Sequence, residues 1–243
     1  MADITSGLVA HWKLDETSGT TAADSAGSYT GTYVNTPTLN QAGAFGSSKA
    51  VTFASASSQK VTATNPISAY PFTVALWAKP TDLAAQTEVV ELKTTLGHVR
   101  IEQRMDGSLR ILRHDGTVND YTLLKSGVFA AGTWSHVTLT CNSASETTAY
   151  VNGGSPVSVS VSVAYTSQTS VTLAGSVTGL YFNGTLDDVR IYSRALSAGD
   201  VAELYAYTGA AKFPYWYFHN SGLRRNPFDA FTVQTPLAIL KTR

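Results

Sequence analysis

The chain has 243 residues, 43% of them hydrophobic and 14% charged, with a formal net charge of zero at pH 7. The length and hydrophobic content suit one large β-domain with a full core, and the single cysteine excludes an internal disulfide. No apolar run approaches the roughly 20 residues needed to cross a bilayer, so the sequence excludes a membrane-spanning helix and predicts no membrane partner.

The N-terminal sequence MADITSGLVAHWKL has neither the basic segment nor the apolar segment of a secretory signal. We therefore expect no signal peptide, and release by lysis or another route if the protein acts outside a cell. Charge is unevenly distributed: residues 1–211 contain 12 basic and 16 acidic side chains, whereas residues 212–243 contain five and one. A mildly acidic body thus precedes a basic C-terminal segment.

Alternation of apolar and polar residues predicts a succession of short β-strands. In LVAHWKL, residues 8–14, the apolar side chains share one face, whereas FTVALWA, residues 72–78, is apolar on both faces and predicts a central buried strand. The segments 98–105 and 108–114 flank an Asp-Gly pair, which favours a tight hairpin because such a turn needs a positive φ. WSHVTLTC, residues 134–141, continues the β-pattern.

The period changes near the end of LDDVRIYSRALSAGDVAELYAY, residues 186–207. Ser197 lies three residues before Asp200, which is typical of a helix N-cap with an acidic third position, and Val201 and Leu204 follow at helical spacing. Together these patterns predict an all-β, two-sheet antiparallel jelly-roll sandwich that ends in one short C-terminal helix.

Five segments occur in the order expected of the laminin-G-like, concanavalin A-like jelly-roll family: GLVAHWKLDETSGTTAADSAG, PFTVALWAKP, GTWSHVTLT, AYVNG and GTLDDVRIYSRALSAGDVAELY. The chain resembles this family over about residues 4–207. The resemblance implies a jelly-roll domain over residues 1–209, which leaves residues 210–243 as an extended C-terminal arm. It does not select one function, because such folds carry lectins, hydrolases, adhesion modules and virion parts.

The sequence shows no recognisable catalytic set. Glycoside hydrolases of this architecture place acidic residues at alternate positions of one strand, so that two carboxyls converge on the cleft. The nearest acidic groupings have other spacings: Glu88 with Glu91, Glu102 with Asp106, and Asp187 with Asp188. No G-x-S-x-G motif occurs, His136 fits a structural strand residue, and Cys141 fits a buried, inert thiol. We therefore expect the protein not to be an enzyme.

The resemblance also implies a structural calcium ion, bound by an Asp of a D-x-V-R motif and by backbone carbonyls near the N-terminus. Asp187 in DDVRIY matches the motif, and Asp24 in AADSAGSYTG is the second candidate ligand. Ser28, Tyr29 and Thr30 stand where the family usually has further Asn and Asp. The alternative is that Asp24 and Asp187 only accept hydrogen bonds from turn amides, and both interpretations are open.

Sugar binding is the family's common function, and it requires exposed aromatic rings flanked by polar side chains. The candidate glycan-binding residues lie on the polar face of the 98–113 hairpin or close to it: Arg100, Arg104, Arg110 and Tyr121. The alternative, which the pattern favours, is that the arginines form a solvated cross-strand charge ladder with Glu102. Trp12, Trp77 and Trp134 fall in predicted strands and are expected in the core.

Residues 210–243 are basic, aromatic and interrupted by prolines, so we expect no helix or sheet of their own. The segment either packs on its own domain or binds a partner protein, and the abrupt change in composition favours the partner. Five basic residues there are too few to predict nucleic-acid binding. The candidate partner-binding residues are Phe213, Tyr215, Trp216, Tyr217, Phe218, Arg224, Arg225, Phe228 and Phe231.

These observations favour a non-enzymatic structural or adhesion protein. A domain with no export signal, no catalytic set and an assembly-type arm is most similar to a phage virion component, such as a capsid decoration or tail protein. It would lie on the virion surface, or outside the cell after lysis, with capsid or tail subunits as partners, as a homo-oligomer, and with a face that binds surface glycans. The alternatives are a free carbohydrate-binding lectin, with or without calcium, and a divergent glycoside hydrolase.

Overall fold

Short strands dominate the described part of the protein, and one α-helix follows the last of them. The computed structural model describes residues 4–114, 116, 120–160, 168–176 and 179–209, without the side chains of residues 120, 121, 168, 208 and 209. The strands in these ranges form two antiparallel sheets of eight strands each. The predicted all-β sandwich with one short C-terminal helix is therefore confirmed.

The first sheet, sheet A, has the strand order β14-β13-β12-β7-β16-β5-β4, and β1 pairs with the second half of β16. Its central strands β7 and β16 are buried along nearly their whole length, as the continuous apolar run FTVALWA predicts. The strands of sheet A are β1 (Leu8–Trp12), β4 (Thr38–Ala42), β5 (Lys49–Phe53), β7 (Phe72–Pro80), β12 (Ser135–Ser143), β13 (Glu146–Val151), β14 (Val157–Ser160) and β16 (Gly184–Tyr192).

The second sheet, sheet B, has the order β11-β10-β9-β8-β15-β6-β3-β2. Its β9–β10 hairpin turns at Asp106-Gly107, and the φ of Gly107 is 75°, as the Asp-Gly pair predicts. The strands of sheet B are β2 (Thr21–Ala22), β3 (Gly31–Val34), β6 (Lys60–Thr64), β8 (Thr87–Thr94), β9 (His98–Gln103), β10 (Leu109–His114), β11 (Asp120–Lys125) and β15 (Gln168–Leu173). One 3₁₀ turn, Ser55–Ser57, precedes β6.

One hydrophobic core lies between the two sheets. Val74 and Leu76 of sheet A and Val99 and Ile101 of sheet B are completely or almost completely buried in it. Successive side chains of a strand point to opposite faces of the sheet. The other residues of β9 therefore face away from the core: His98, Arg100 and Glu102.

The helix α1 (Ala198–Gly209) begins with the capping arrangement that the sequence predicts. Ser197 Oγ accepts a hydrogen bond from the amide of Asp200 at 3.1 Å, and the Asp200 carboxylate accepts one from the amide of Ser197 at 2.8 Å. Val201 and Leu204 then pack on the outer face of sheet A, beside Tyr192. Within the described residues no helix has the length and hydrophobicity of a membrane span.

A β-bulge in β16 fixes the N-terminal strand to sheet A. The register shifts between Asp187 and Arg190, and Asp188 has a φ of 51°. The Asp188 carboxylate pairs with Arg190 at 3.0 Å and with Nε2 of His11 in β1 at 2.6 Å. Burial would raise the pKa of Asp188, but these contacts hold it below its usual range. A buried carboxylate thus joins two strands and compensates a buried guanidinium.

The change Asp188→Asn should destabilise the fold by about 3 kcal/mol, because it leaves the buried Arg190 without its carboxylate partner. Asparagine keeps the size of the side chain and tolerates a positive φ. Urea unfolding should show a lower midpoint with an unchanged slope. The matched control Asp106→Asn, on an exposed turn, should leave the midpoint nearly unchanged, and an equally stable Asp188→Asn protein would contradict the assignment.

Candidate functional site

The outward face of sheet B carries a buried network of charged side chains. Glu88 and Glu91 are three residues apart on β8, yet both face outward because a register shift lies between Glu88 and Val90. Arg100 of β9 pairs with both: its Nη1 lies 2.8 Å from Oε1 of Glu88, and its Nη2 lies 2.8 Å from Oε1 of Glu91. One guanidinium therefore joins two carboxylates that the sequence spacing alone assigns to opposite faces.

A second ion pair lies beside the first. Glu102 is opposite Glu88 on the neighbouring strand, and Arg110 is opposite Glu102 on the next. Both Nε and Nη2 of Arg110 lie 2.5 Å from Oε2 of Glu102, and Gln86 donates a hydrogen bond to the same oxygen at 3.2 Å. The face thus has a row of paired acidic and basic groups across three strands, in which Glu88 and Glu102 are neighbours.

This network is buried rather than solvated, so the expected solvated ladder is wrong for its central members. Glu88, Glu91 and Glu102 are 0% exposed and Arg100 is 8% exposed, although all four point away from the hydrophobic core. The chain around Leu180 and Tyr181 contributes to this burial, since the amide of Glu88 donates to the Leu180 carbonyl at 3.1 Å and Tyr181 forms a bridge to Glu88.

Burial changes the proton affinity of these carboxyls. The pKa of Glu88 is raised to about 7, mainly by burial and also by the neighbouring Glu91 and Glu102, while Ser176 and Arg100 oppose the shift. Burial also raises the pKa of Glu102, against the effect of Arg110. Neither carboxylate oxygen of Glu88 receives a well-aligned hydrogen bond. Burial thus makes Glu88 hold its proton to a higher pH than an ordinary glutamate does.

A carboxyl with a raised pKa beside other carboxylates is the constellation that glycoside hydrolysis uses. Here the bulge assembles such a group from residues whose spacing in the sequence excludes it. All three carboxyls are inaccessible to solvent, and each is paired with an arginine: Glu88 and Glu91 with Arg100, and Glu102 with Arg110. In this arrangement the carboxylates hold the arginine side chains in place, and a sugar at the surface has no direct contact with them.

The accessible layer of the face includes an aromatic ring that the sequence analysis missed. Tyr181 is partly exposed, and the ammonium of Lys60 lies 5.5 Å from the centre of its ring. The ring lies against Gly175, where an added Cβ would come within 2.9 Å of Tyr181 Cδ1. The glycines on both sides of Tyr181 in GLYFNG are the sequence signal of a loop, but they do not show which strand the loop crosses.

The predicted glycan-binding residues are only partly brought together. Arg100 is buried, Arg110 is partly exposed with 21% of its side chain accessible, and Arg104 is partly exposed beyond the end of β9. Tyr121 pairs with Arg113 in β10, in the register of the inward-facing positions, so it is not in the row of Arg100 and Arg110. The side chain of Tyr121 lies outside the described part of the structure.

The two candidate calcium ligands make other contacts. Asp24 accepts hydrogen bonds from the amides of His11, Ala26 and Tyr29 at 2.8, 2.9 and 3.0 Å. Burial would raise its pKa, but these amides lower it overall. Within the described ranges no three His, Cys, Asp or Glu side chains are grouped to hold a metal ion. The residues present thus do not fit a site rich in carboxylates, such as calcium prefers.

Asp187 holds the loop before β5. It accepts hydrogen bonds from the amide of Ala44 at 2.8 Å and from the hydroxyl of Ser48 at 2.9 Å. Burial raises its pKa to about 7 despite these two donors. The contacts of Asp187 and Asp24 agree with the alternative interpretation, in which both residues accept hydrogen bonds from loops and turns.

His136 and Trp77 are structural, whereas the expectation for Trp134 needs a correction. His136 is buried with its ring 5.1 Å from that of Trp77, and burial lowers its pKa to about 4. Trp77 is buried as expected, but on the outer face of sheet A, where Tyr205 of α1 covers it. The expectation for Trp134 is wrong: it precedes β12, is partly exposed, and lies 4.9 Å from the ammonium of Lys79.

The predicted partner-binding residues all lie outside the described residues, so their assignment stays a prediction. They are Phe213, Tyr215, Trp216, Tyr217, Phe218, Arg224, Arg225, Phe228 and Phe231.

The raised pKa of Glu88 predicts a pH-dependent effect of Glu88→Gln on stability. The folded protein keeps the Glu88 proton up to about pH 7, whereas an ordinary glutamate loses it near pH 4.5. The unfolding free energy of the parent therefore falls over this interval, and the variant lacks this loss. From pH 5 to pH 8 the stability of Glu88→Gln relative to the parent should rise, by at most about 3 kcal/mol.

The measurement is urea unfolding at several pH values, with the exposed Glu146→Gln as the control for loss of one glutamate. The control should differ from the parent by the same amount at every pH between 5 and 8. A Glu88→Gln curve that runs parallel to the parent curve would show that Glu88 is ionised throughout this range.

Comparison with known proteins identifies the fold. A family model described as the concanavalin A-like lectin/glucanases superfamily matches residues 45–202. Domain 4 of AbnA, an extracellular GH43 arabinanase of Geobacillus stearothermophilus solved in complex with arabinotriose, is similar at 22% identity. The match covers 82% of this chain and 98% of that domain, with a TM-score of 0.67.

Receptor-binding domains of botulinum neurotoxins are also similar. The domain of the mosaic serotype C/D has 14% identity over 84% of this chain and a TM-score of 0.67, and that of type G has 14% identity over 83% with 0.65. The chain spans about half the length of these toxin domains, 52% and 51%. No curated protein matches the sequence. With two antiparallel sheets and a family match over most of its length, the chain belongs to the concanavalin A-like lectin/glucanases superfamily.

Proposed function

We propose that the protein binds carbohydrate without cleaving it, through the outward face of sheet B. The observation that carries this proposal is the partly exposed Tyr181 ring, which lies beside a row of charged side chains held in place by buried ion pairs. An aromatic ring next to fixed hydrogen-bonding groups is what a sugar ring requires, because its C–H face stacks and its hydroxyls hydrogen-bond.

The buried ion pairs support binding because they preorganise the surface. Arg110 is held by two contacts of 2.5 Å to Glu102, so a ligand does not need to order this long side chain. Tyr181 is fixed through the bridge to Glu88 and through its contact with Gly175. The entropy cost of binding is correspondingly reduced.

The same burial argues against catalysis. A general acid must come within about 3 Å of the oxygen that it protonates. Glu88, Glu91 and Glu102 are inaccessible to solvent, and the first two share the guanidinium of Arg100. We therefore propose that their role is to position the arginines, and that the protein is not a hydrolase.

The relatives support the class of ligand. The arabinanase domain was solved with arabinotriose, and it is matched over almost its whole length. The toxin domains are described as receptor-binding domains. At 22% identity and below, these likenesses establish the fold, and the extension from those proteins to this chain is part of our proposal.

A role in a phage virion is a further proposal that depends on residues 210–243. Its support is the sequence, since a basic and aromatic segment follows the domain. In this hypothesis the segment binds capsid or tail subunits, copies of the chain form an oligomer, and the sheet B face is displayed toward surface glycans.

The change Tyr181→Ala should weaken sugar binding at least tenfold, about 1.4 kcal/mol, because it removes the ring on which the sugar stacks. Isothermal titration calorimetry with arabinotriose and with a panel of other oligosaccharides measures the effect. Tyr207→Ala is the matched control, because Tyr207 is 49% exposed and lies on α1, which packs on sheet A.

If Tyr181→Ala and Tyr207→Ala weaken binding equally, or if neither weakens it, sugar does not bind through the sheet B face as proposed. Incubation of the parent protein with the bound oligosaccharides should release no reducing ends. Release of reducing ends that Glu88→Gln abolishes would show that the buried carboxyls are catalytic and would overturn the non-enzymatic proposal.

A chain that ends at Gly209 tests the assembly hypothesis separately. We expect it to keep the melting temperature and the sugar binding of the full chain, and to lose association with virion proteins in a co-sedimentation assay. A much lower melting temperature would show that residues 210–243 contribute to the stability of the domain, and unchanged co-sedimentation would show that they are not the anchor.

A further inference from the structure

Acidic and basic groups on the sheet B face differ in their access to solvent. The three glutamates of the network, Glu88, Glu91 and Glu102, are completely buried. Lys60 and Arg110 on the same face are partly exposed. The charged groups accessible at this part of the face are therefore Lys60 and Arg110, although the buried network contains three glutamates and only two arginines.

The exposed cations lie on both sides of the aromatic ring. Lys60 on β6 is next to Tyr181, and Tyr181 bridges to Glu88 on β8. Arg110 is two strands further on, on β10. Four strand spacings separate β6 from β10, about 19 Å at 4.8 Å per spacing. This length fits an oligosaccharide with several rings better than a single sugar.

Arg110 retains capacity for a ligand. A guanidinium has five N–H donors, and the contacts to Glu102 use Nε and Nη2. Arg104 is partly exposed beyond the end of β9, and its amide donates to the Ser108 carbonyl at 3.0 Å across the hairpin. Two arginines are therefore near one end of the row, and one lysine is at the other.

We propose that the ligand of this face is an acidic oligosaccharide, with one sugar ring stacked on Tyr181 and its carboxylate or sulfate groups paired with Lys60 and Arg110. The inference rests on the proposed carbohydrate binding and adds the charge class of the ligand. Charge-assisted hydrogen bonds to guanidinium and ammonium groups are stronger than those that neutral hydroxyls form. The buried glutamates hold Arg100 and Arg110 and are shielded from the anion by their depth.

The test uses pairs of polysaccharides that differ in charge. Fragments of polygalacturonate are compared with the same fragments after methyl esterification, and dextran sulfate fragments with dextran fragments of equal length. We expect the charged member of at least one pair to bind at least tenfold more tightly at low salt, and this advantage to shrink as sodium chloride rises to 0.5 M. The pair that responds identifies the anionic group as carboxylate or sulfate.

The variant Lys60→Gln separates the effect of charge from that of stacking. It should weaken binding of the charged fragments about five- to tenfold, and binding of the neutral fragments by a clearly smaller factor. Lys49→Gln, at an exposed position of β5 in sheet A, is the matched control and should change neither. Both variants remove a partly or fully exposed ammonium, and circular dichroism checks that the fold is retained.

The outcomes distinguish this inference from the proposed function. If neutral fragments bind as tightly as charged ones and Tyr181→Ala weakens both, carbohydrate binding stands and the charge class is wrong. If Lys60→Gln and Lys49→Gln weaken charged fragments equally, the attraction is a general effect of net charge and the site assignment is wrong. If no fragment of either charge binds, both proposals fail.

Discussion

The outward face of sheet B depends on the pairing of one buried guanidinium with two carboxylates. A charged group that is removed from water is tolerated only when it is fully paired, and Arg100 finds its partners in Glu88 and Glu91. These two residues share a face only because β8 contains a bulge between them. The bulge and the ion pairs therefore depend on each other: without the bulge Glu88 would turn toward the apolar core, and without Arg100 two adjacent buried carboxylates would face each other.

Glu88 connects this network to the accessible surface. Its side chain pairs with Arg100, while its main-chain amide donates a hydrogen bond to the Leu180 carbonyl and its main chain forms a bridge with Tyr181. The position of the aromatic ring is thus tied to the same residue whose carboxyl has a pKa near 7. Glu88 thus contacts Arg100 through its side chain and the segment of Tyr181 through its main chain, so the buried network and the partly exposed ring share one residue.

The sequence predicts the sandwich well because the fold depends on patterns that are local. Alternation gives the strands, Asp106-Gly107 gives a hairpin, and Ser197 with Asp200 gives the start of α1. Prediction from the sequence fails where one extra residue in a bulge reverses the side of the sheet on which side chains lie. Glu88 and Glu91 have i, i+3 spacing whether or not a bulge lies between them, so the spacing does not show that they share a face. The predictions for Tyr121 and Trp134 are wrong, and Tyr181 is missed, for a related reason. The register and exposure of these residues depend on which distant segment lies beside them, and local periodicity does not encode that.

The two sheets differ in what covers their outward faces. On sheet A, the DDVRIY segment is used for packing: Asp187 holds the loop before β5, and Asp188 joins β1 to β16 through His11 and Arg190. The motifs that identify the family therefore lie largely where the outer surface is already covered, by the N-terminal segment and by α1. The sheet B face carries the charged row, Tyr181 and the accessible cations. These residues lie within the range of the family match, 45–202, but outside the five sequence segments that carry the resemblance. The five segments thus account for how the chain closes its core, whereas the proposed ligand binding is argued from a face on which those segments place none of the residues involved.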